Sequence, residues 1–322
     1  MTIARNVLAV FLAISAMANE GLSGTEPSGT SALQIVGTGA VTVVFESGLG
    51  DTGDVWQSVQ SPIAADCAKT VSYTRRGYRG TALAYGPRDA EHLVAELRSS
   101  LREFGASPPY VLVGHSLGGL YMQYFARAYP GEVRGLLLVD SMQQNQIARV
   151  KAVTPGTYRM LNAITWVTGG ELRREFTGIA PTAAEIARLP HAKNVATIVL
   201  SSTQPSTGDT PAFRTLMAQL QGEIAADFGA DRHEFVTNSG HYIQRDQPQK
   251  VIAAARELAG CSTGKSDSAR ASIQADDNRL SGTGTARFES QKLSTISANT
   301  FLNNCCSRTI LAEREASTPT RN

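Results

Sequence analysis

Short apolar runs alternate along this chain with longer stretches in which apolar residues recur every three or four positions. The runs at 41–45, 70–73, 111–113, 136–139, 196–200 and 234–237 are rich in Val, Ile, Leu and Phe. Most are continuous rather than alternating, as strands buried on both faces are. Between the second and third runs, Ala90, Leu93, Val94, Leu97, Leu101 and Phe104 share one helical face behind Asp89, a residue suited to cap it. Further helices are predicted over 120–126, through Phe213, Leu216, Met217, Leu220 and Ile224, and after Pro248 through Val251, Ile252, Ala255 and Leu258. This order predicts an α/β fold, a mostly parallel, doubly wound sheet with helices on both faces.

Three segments depart from the alternation. Arg5, the apolar run at 7–14 and Ala16-Met17-Ala18 together read as a cleaved signal peptide over 1–18, which directs the protein to a secreted or periplasmic location. No other segment is apolar enough for a stable membrane span. Residues 144–194 contain helical fragments but no strand, and are expected to form a cap inserted between core segments 19–143 and 195–261. Met160, Leu161, Ile164, Trp166 and Val167 would give that cap an apolar face over the active-site edge. Residues 262–322 are rich in Ser, Thr, Asn and Ala without periodicity, and are read as a largely disordered tail.

A net charge of +2 in 322 residues excludes a partner chosen by bulk charge, nucleic acid in particular. Export bears on Cys67, Cys261, Cys305 and Cys306, because an oxidising compartment permits disulfides. Three pairings of four cysteines are open, and no spacing matches a zinc site.

The candidate chemistry starts at Gly114-His115-Ser116-Leu117-Gly118-Gly119, directly after the third strand and before a helix. A G-x-S-x-G turn in that context lifts the serine hydroxyl clear of the backbone, and glycines keep the tight turn free of collisions. A serine alcohol needs a positioned base. Of five histidines, His241 follows the last strand and precedes the final helix, so its loop reaches the carboxyl edge of the sheet near Ser116. His115 is expected behind the turn and His92 in solvent, while His191 and His233 have no supporting motif. Asp140 ends the fourth strand and is favoured as the acid that orients His241. Asp209 is the alternative, separated from the fifth strand by eight residues. The loop Glu46-Ser47-Gly48-Leu49-Gly50 is suited to supply the Leu49 N–H which, with that of Leu117, would bind a developing oxyanion. Arg75, Arg76 and Arg79 follow the second strand at the same edge, as a solvated cluster or one that favours an anionic substrate.

These segments, with Leu137-Leu138-Val139-Asp140-Ser141 and Ser239-Gly240-His241-Tyr242-Ile243, resemble the serine hydrolases of the α/β-hydrolase superfamily over about 41–258. The resemblance implies hydrolysis of a small-molecule acyl compound, mostly a carboxylic ester, without a metal or organic cofactor, and the apolar face expected of the cap would favour an apolar acyl part. It also implies an acid after the strand that follows the nucleophile helix, which is where Asp140 stands. Thr74 replaces the usual Asp, and Arg76 and Arg79 replace a small residue and Gly. A serine at the elbow excludes chemistries that need a carboxylate nucleophile there. A thioesterase, amidase or lyase on the same three residues, or a binding protein on the same fold, remains open.

Overall fold

The computed structural model describes residues 33–192, 194–206 and 209–261. The expected signal peptide and tail lie outside them, as do Cys305 and Cys306. Seven strands form one sheet in the order β1-β3-β2-β4-β5-β6-β7. They are β1 (Leu33–Val36), β2 (Thr42–Glu46), β3 (Lys69–Tyr73), β4 (Tyr110–His115), β5 (Val133–Val139), β6 (Ala196–Ser202) and β7 (Arg232–Val236). β1 pairs antiparallel with β3, and every other pairing is parallel.

The helices are α1 (Gln57–Asp66), α2 (Ala90–Glu103), α3 (Leu117–Ala128), α4 (Gln146–Val153), α5 (Pro155–Thr168), α6 (Gly170–Arg188), α7 (Pro211–Asp227), the single turn α8 (Ile243–Asp246) and α9 (Pro248–Ala259). The period of two along each strand divides the core. Val44, Leu112, Leu136 and Leu138 face a cluster with Leu97 of α2, Leu120 of α3 and Ile224 of α7. Val43, Phe45, Val111, Val113, Leu137 and Val139 face Trp56, Ile63 of α1 and Val251, Ile252 and Leu258 of α9. Both faces of the central strands are therefore dry.

Helices α4, α5 and α6 occupy the segment between β5 and β6. Their packing corrects one expectation. Trp166 and Val167 are 71% and 78% exposed, so they belong to no shared apolar face with Leu161, which packs against the core. α6 packs on the rest of the domain through Phe176, Ile179 and Ile186, and α4 packs on α7 through Val150 with Leu216 and Leu220. Among the described residues no helix is long and apolar enough to cross a membrane.

Cys67, just after α1, is disulfide-bonded to Cys261, just after α9, across 194 residues of chain. The bond fastens the two helices that cover one face. Closing so long a loop restricts the unfolded chain strongly, and removal of a native disulfide of this kind typically costs about 2–5 kcal/mol. Replacing both Cys67 and Cys261 with Ser is expected to lower the melting temperature by about 10 °C, read by calorimetry.

Candidate active site

Ser116 stands between β4 and α3 with φ 52° and ψ −122°. An L-residue pays about 1–3 kcal/mol for such a conformation, and the surroundings have to impose it. Three backbone bonds do so. The Ser116 N–H donates to the Val139 carbonyl at 3.2 Å, and the Ser116 carbonyl accepts from Gly119 at 3.0 Å and Met142 at 2.9 Å. The turn also needs its glycines. A Cβ on Gly114 would lie 2.5 Å from the Gly119 Cα, and one on Gly118 would lie 2.5 Å from the Glu46 carbonyl oxygen.

Asp140 begins the loop after β5, next to β4, and itself has φ 42°. Its Oδ2 lies 2.7 Å from His241 Nδ1, and its carboxylate accepts from the Ser202 N–H at 2.9 Å and the Ser202 hydroxyl at 3.0 Å. Burial alone would raise the Asp140 pKa, but the bonds from His241 and Ser202 and the charge of His241 hold it below its ordinary 3.8. His241 is 42% exposed, so its ring has one end on Asp140 and the other open. Desolvation by itself would lower the His241 pKa, yet the hydrogen bond and charge of Asp140 outweigh it and raise the group above 6.5.

Asp209 is not the partner of this ring. Its carboxylate accepts from the Ser206 N–H at 2.8 Å, within its own loop, and acts on His241 only as a more distant charge. The other histidines have separate surroundings. His92 meets Asp89 at 2.6 Å and His191 meets Asp227 at 2.7 Å, both at the surface. His233 meets the Ser201 hydroxyl at 2.9 Å. His115 is buried, and burial lowers its pKa despite the pull of Asp51. Its Nε2–H donates to the His241 carbonyl at 2.9 Å, which ties the Ser116 turn to the His241 loop.

The two oxyanion candidates come from the helix after Ser116 and from the loop after β2. Leu117 is the first residue of α3, so its N–H has no intrahelical acceptor. The loop carrying Leu49 approaches closely, since a Cβ on Gly48 would lie 3.3 Å from that of Ser116.

Arg75 overturns its expected placement. It is neither solvated nor open to a substrate but 3% exposed, and it forms ion pairs with Glu46 at 2.6 Å and Glu175 at 2.8 Å. Arg76 pairs with Glu96 at 2.9 Å near the surface, and Arg79 is exposed. Thr74, in place of the usual Asp, accepts from the Gly53 N–H at 3.0 Å. Sequence reasoning also missed Gln123 and Gln221. Both are buried, and they grip Ser141 and Met142, just after Asp140, through bonds of 2.7–2.9 Å. The one available signal was Glu46, a charge ending an apolar strand and therefore in need of a buried partner.

Comparison with known proteins places this geometry. A 106-residue segment is 29% identical to the uncharacterized protein YbdG of Bacillus subtilis (strain 168), covering 32% of each chain. A similar length is 35% identical to the putative carbamate hydrolase RutD of Klebsiella pneumoniae (strain 342), covering 32% of this chain and 38% of that protein. The chain thus spans only about a third of the length of the curated relatives it matches. The monoacylglycerol lipase of Paleococcus ferrophilus superposes with a TM-score of 0.51 at 15% identity, over 72% of this chain and 100% of that one, a likeness of fold. Residues 43–255 match the model of the alpha/beta hydrolase family, a span that contains Ser116, Asp140 and His241, and the chain belongs to that family.

Proposed function

We propose that this protein is an exported serine hydrolase that cleaves a small carboxylic ester through an acyl-enzyme on Ser116. The observation that carries the reading is the 2.7 Å bond from Asp140 to His241, at the strand edge where Ser116 is held at φ 52°. In this mechanism His241 takes the Ser116 proton as the hydroxyl attacks the acyl carbonyl. Asp140 fixes the imidazole with its outer nitrogen free to accept, and stabilises the imidazolium that forms. The tetrahedral oxyanion rests on the N–H groups of Leu49 and Leu117. His241 then protonates the departing alcohol, and water repeats the sequence on the acyl-enzyme.

The likeness to the Klebsiella putative carbamate hydrolase supports attack at an acyl carbon joined to a heteroatom. Leu172 of α6 supports an apolar acyl part, because its side chain lies beside Gly50, next to Leu49. The Cys67–Cys261 disulfide supports export, since such bonds persist in oxidising compartments.

Steady-state hydrolysis of p-nitrophenyl esters of increasing chain length tests the reaction. Wild type is expected to turn over and Ser116→Ala to fall to background; turnover that survives in Ser116→Ala, or a wild type that only binds, contradicts the reading. Asp140→Asn is expected to lower kcat by about four orders of magnitude with folding retained, while Asp209→Asn stays near wild type.

The pH profile supplies a separate check. Catalysis needs neutral His241, whose folded pKa is raised, so kcat/KM should fall as pH drops through a midpoint above 6.5. Removing the Asp140 charge takes away the partner that raises it, so residual activity in Asp140→Asn should have its acid limb at lower pH. An acid limb that stays in place would contradict the assignment of Asp140.

A further inference from the structure

The Arg75 guanidinium is buried and fully hydrogen-bonded, and the proposed reaction uses it nowhere. Its five N–H bonds have five acceptors. Nε donates to Glu175 Oε1 at 2.8 Å, and Nη2 to Glu175 Oε2 at 2.8 Å. Nη1 donates to Glu46 Oε1 at 2.6 Å and to the Ser47 carbonyl at 2.7 Å, and Nη2 also donates to the Gly48 carbonyl at 2.7 Å. Glu46 and Tyr73 share a further hydrogen bond. Tyr78 completes the arrangement, since its hydroxyl donates to Glu175 Oε2 at 2.7 Å and accepts from the Gly50 N–H at 3.3 Å. Three consecutive peptides of the loop that bears Leu49 are thus held from one side.

The direction of that grip matters. The Gly48 carbonyl and the Leu49 N–H belong to one peptide, and in a trans peptide they point in opposite directions. Drawing the carbonyl back toward Arg75 turns the N–H outward. The Ser47 carbonyl is drawn back in the same way. Glu175 lies in the second turn of α6, is fully buried, and fixes Arg75 bidentately. Arg88 adds a hydrogen bond to Glu175 and an ion pair to Glu171 of the same helix.

We infer that Arg75, oriented by Glu175 of α6 and assisted by Tyr78, is a positioning residue that aims the Leu49 N–H at the oxyanion, so that seating of α6 is coupled to transition-state stabilisation. The inference rests on the esterase reading above and adds to it a dependence of kcat on a helix that bears none of the reacting groups. Lysine at position 75 keeps the charge but not the planar fork, and so cannot hold two carbonyls and a bidentate carboxylate together.

The experiment compares wild type with Arg75→Lys, Glu175→Gln and the milder Tyr78→Phe, each assayed well below its melting midpoint. Three quantities are read: kcat and KM on a p-nitrophenyl ester, and the inhibition constant of a trifluoromethyl ketone, whose serine adduct places a charged oxygen at the oxyanion position. Arg75→Lys and Glu175→Gln are expected to lose about 10- to 100-fold in kcat with KM changed far less, because a displaced donor acts chiefly on the transition state. The ketone should weaken by a similar factor, and Tyr78→Phe should follow the same correlation with a smaller loss. Variants that melt lower yet keep wild-type kcat and ketone affinity would overturn the inference and leave the esterase reading intact. A wild type that neither hydrolyses the ester nor binds the ketone would overturn the reading, and the inference with it. Should Arg75→Lys not fold, Glu175→Gln and Tyr78→Phe decide the matter on the same two readouts.

Discussion

Ser116 must be held in a backbone conformation that L-residues avoid, and the centre of the sheet is arranged around that requirement. The strained residue is bonded to β5 through Val139 and to the following loop through Met142. That loop is in turn gripped by Gln123 of α3 and Gln221 of α7. Nothing larger than glycine fits at 114 or 118, where the β2 loop and the start of α3 close on the turn. The Val139 carbonyl that accepts from Ser116 belongs to the same peptide as the Asp140 N–H, which donates to the Leu200 carbonyl at 2.7 Å. Ser116 and Asp140 are therefore positioned by neighbouring strand ends of one doubly covered sheet, and His241 is carried on a loop tied down by His115. Placing the strain on the stiffest part of the fold allows it to persist.

The second constraint is electrostatic. Burying Arg75 with Glu46 and Glu175 removes three charges from water, and desolvation on that scale rivals the attraction it permits. Burial opposes the Arg75 charge, but Glu175 and Glu46 more than compensate and hold the guanidinium protonated. Such a cluster is a poor means of gaining stability compared with packed apolar side chains. It is an effective means of fixing direction, because a fully used guanidinium has one geometry.

The sequence made the core legible because β2, β4, β5 and β6 are buried on both faces and so appear as unbroken apolar runs. β1 was not visible: its four residues lie at the sheet edge, mostly exposed, and have no partner other than β3 to impose a pattern. α1 was missed as well, with Pro62 inside it and few apolar positions. The placement of Ser116, Asp140 and His241 could be read because each follows the end of a strand, where topology alone brings residues to one sheet edge. Arg75 was misjudged for the opposite reason. Its partners lie 29 and 100 residues away, and a charge in a loop looks the same whether it faces water or two carboxylates. Trp166 misled in reverse, an apolar residue that the fold leaves in solvent. The Cys67–Cys261 pairing also needed the fold, because only packing shows that α1 and α9 end side by side.

The central claim is that Ser116 is an activated nucleophile. The most direct measurement is reaction with a fluorophosphonate followed by peptide mass mapping, on wild type and on His241→Ala. The account predicts one adduct per wild-type chain, located on Ser116, and a labelling rate that collapses in His241→Ala although the serine is still present. A wild type that never labels, an adduct on another residue, or equally fast labelling without His241 would contradict it.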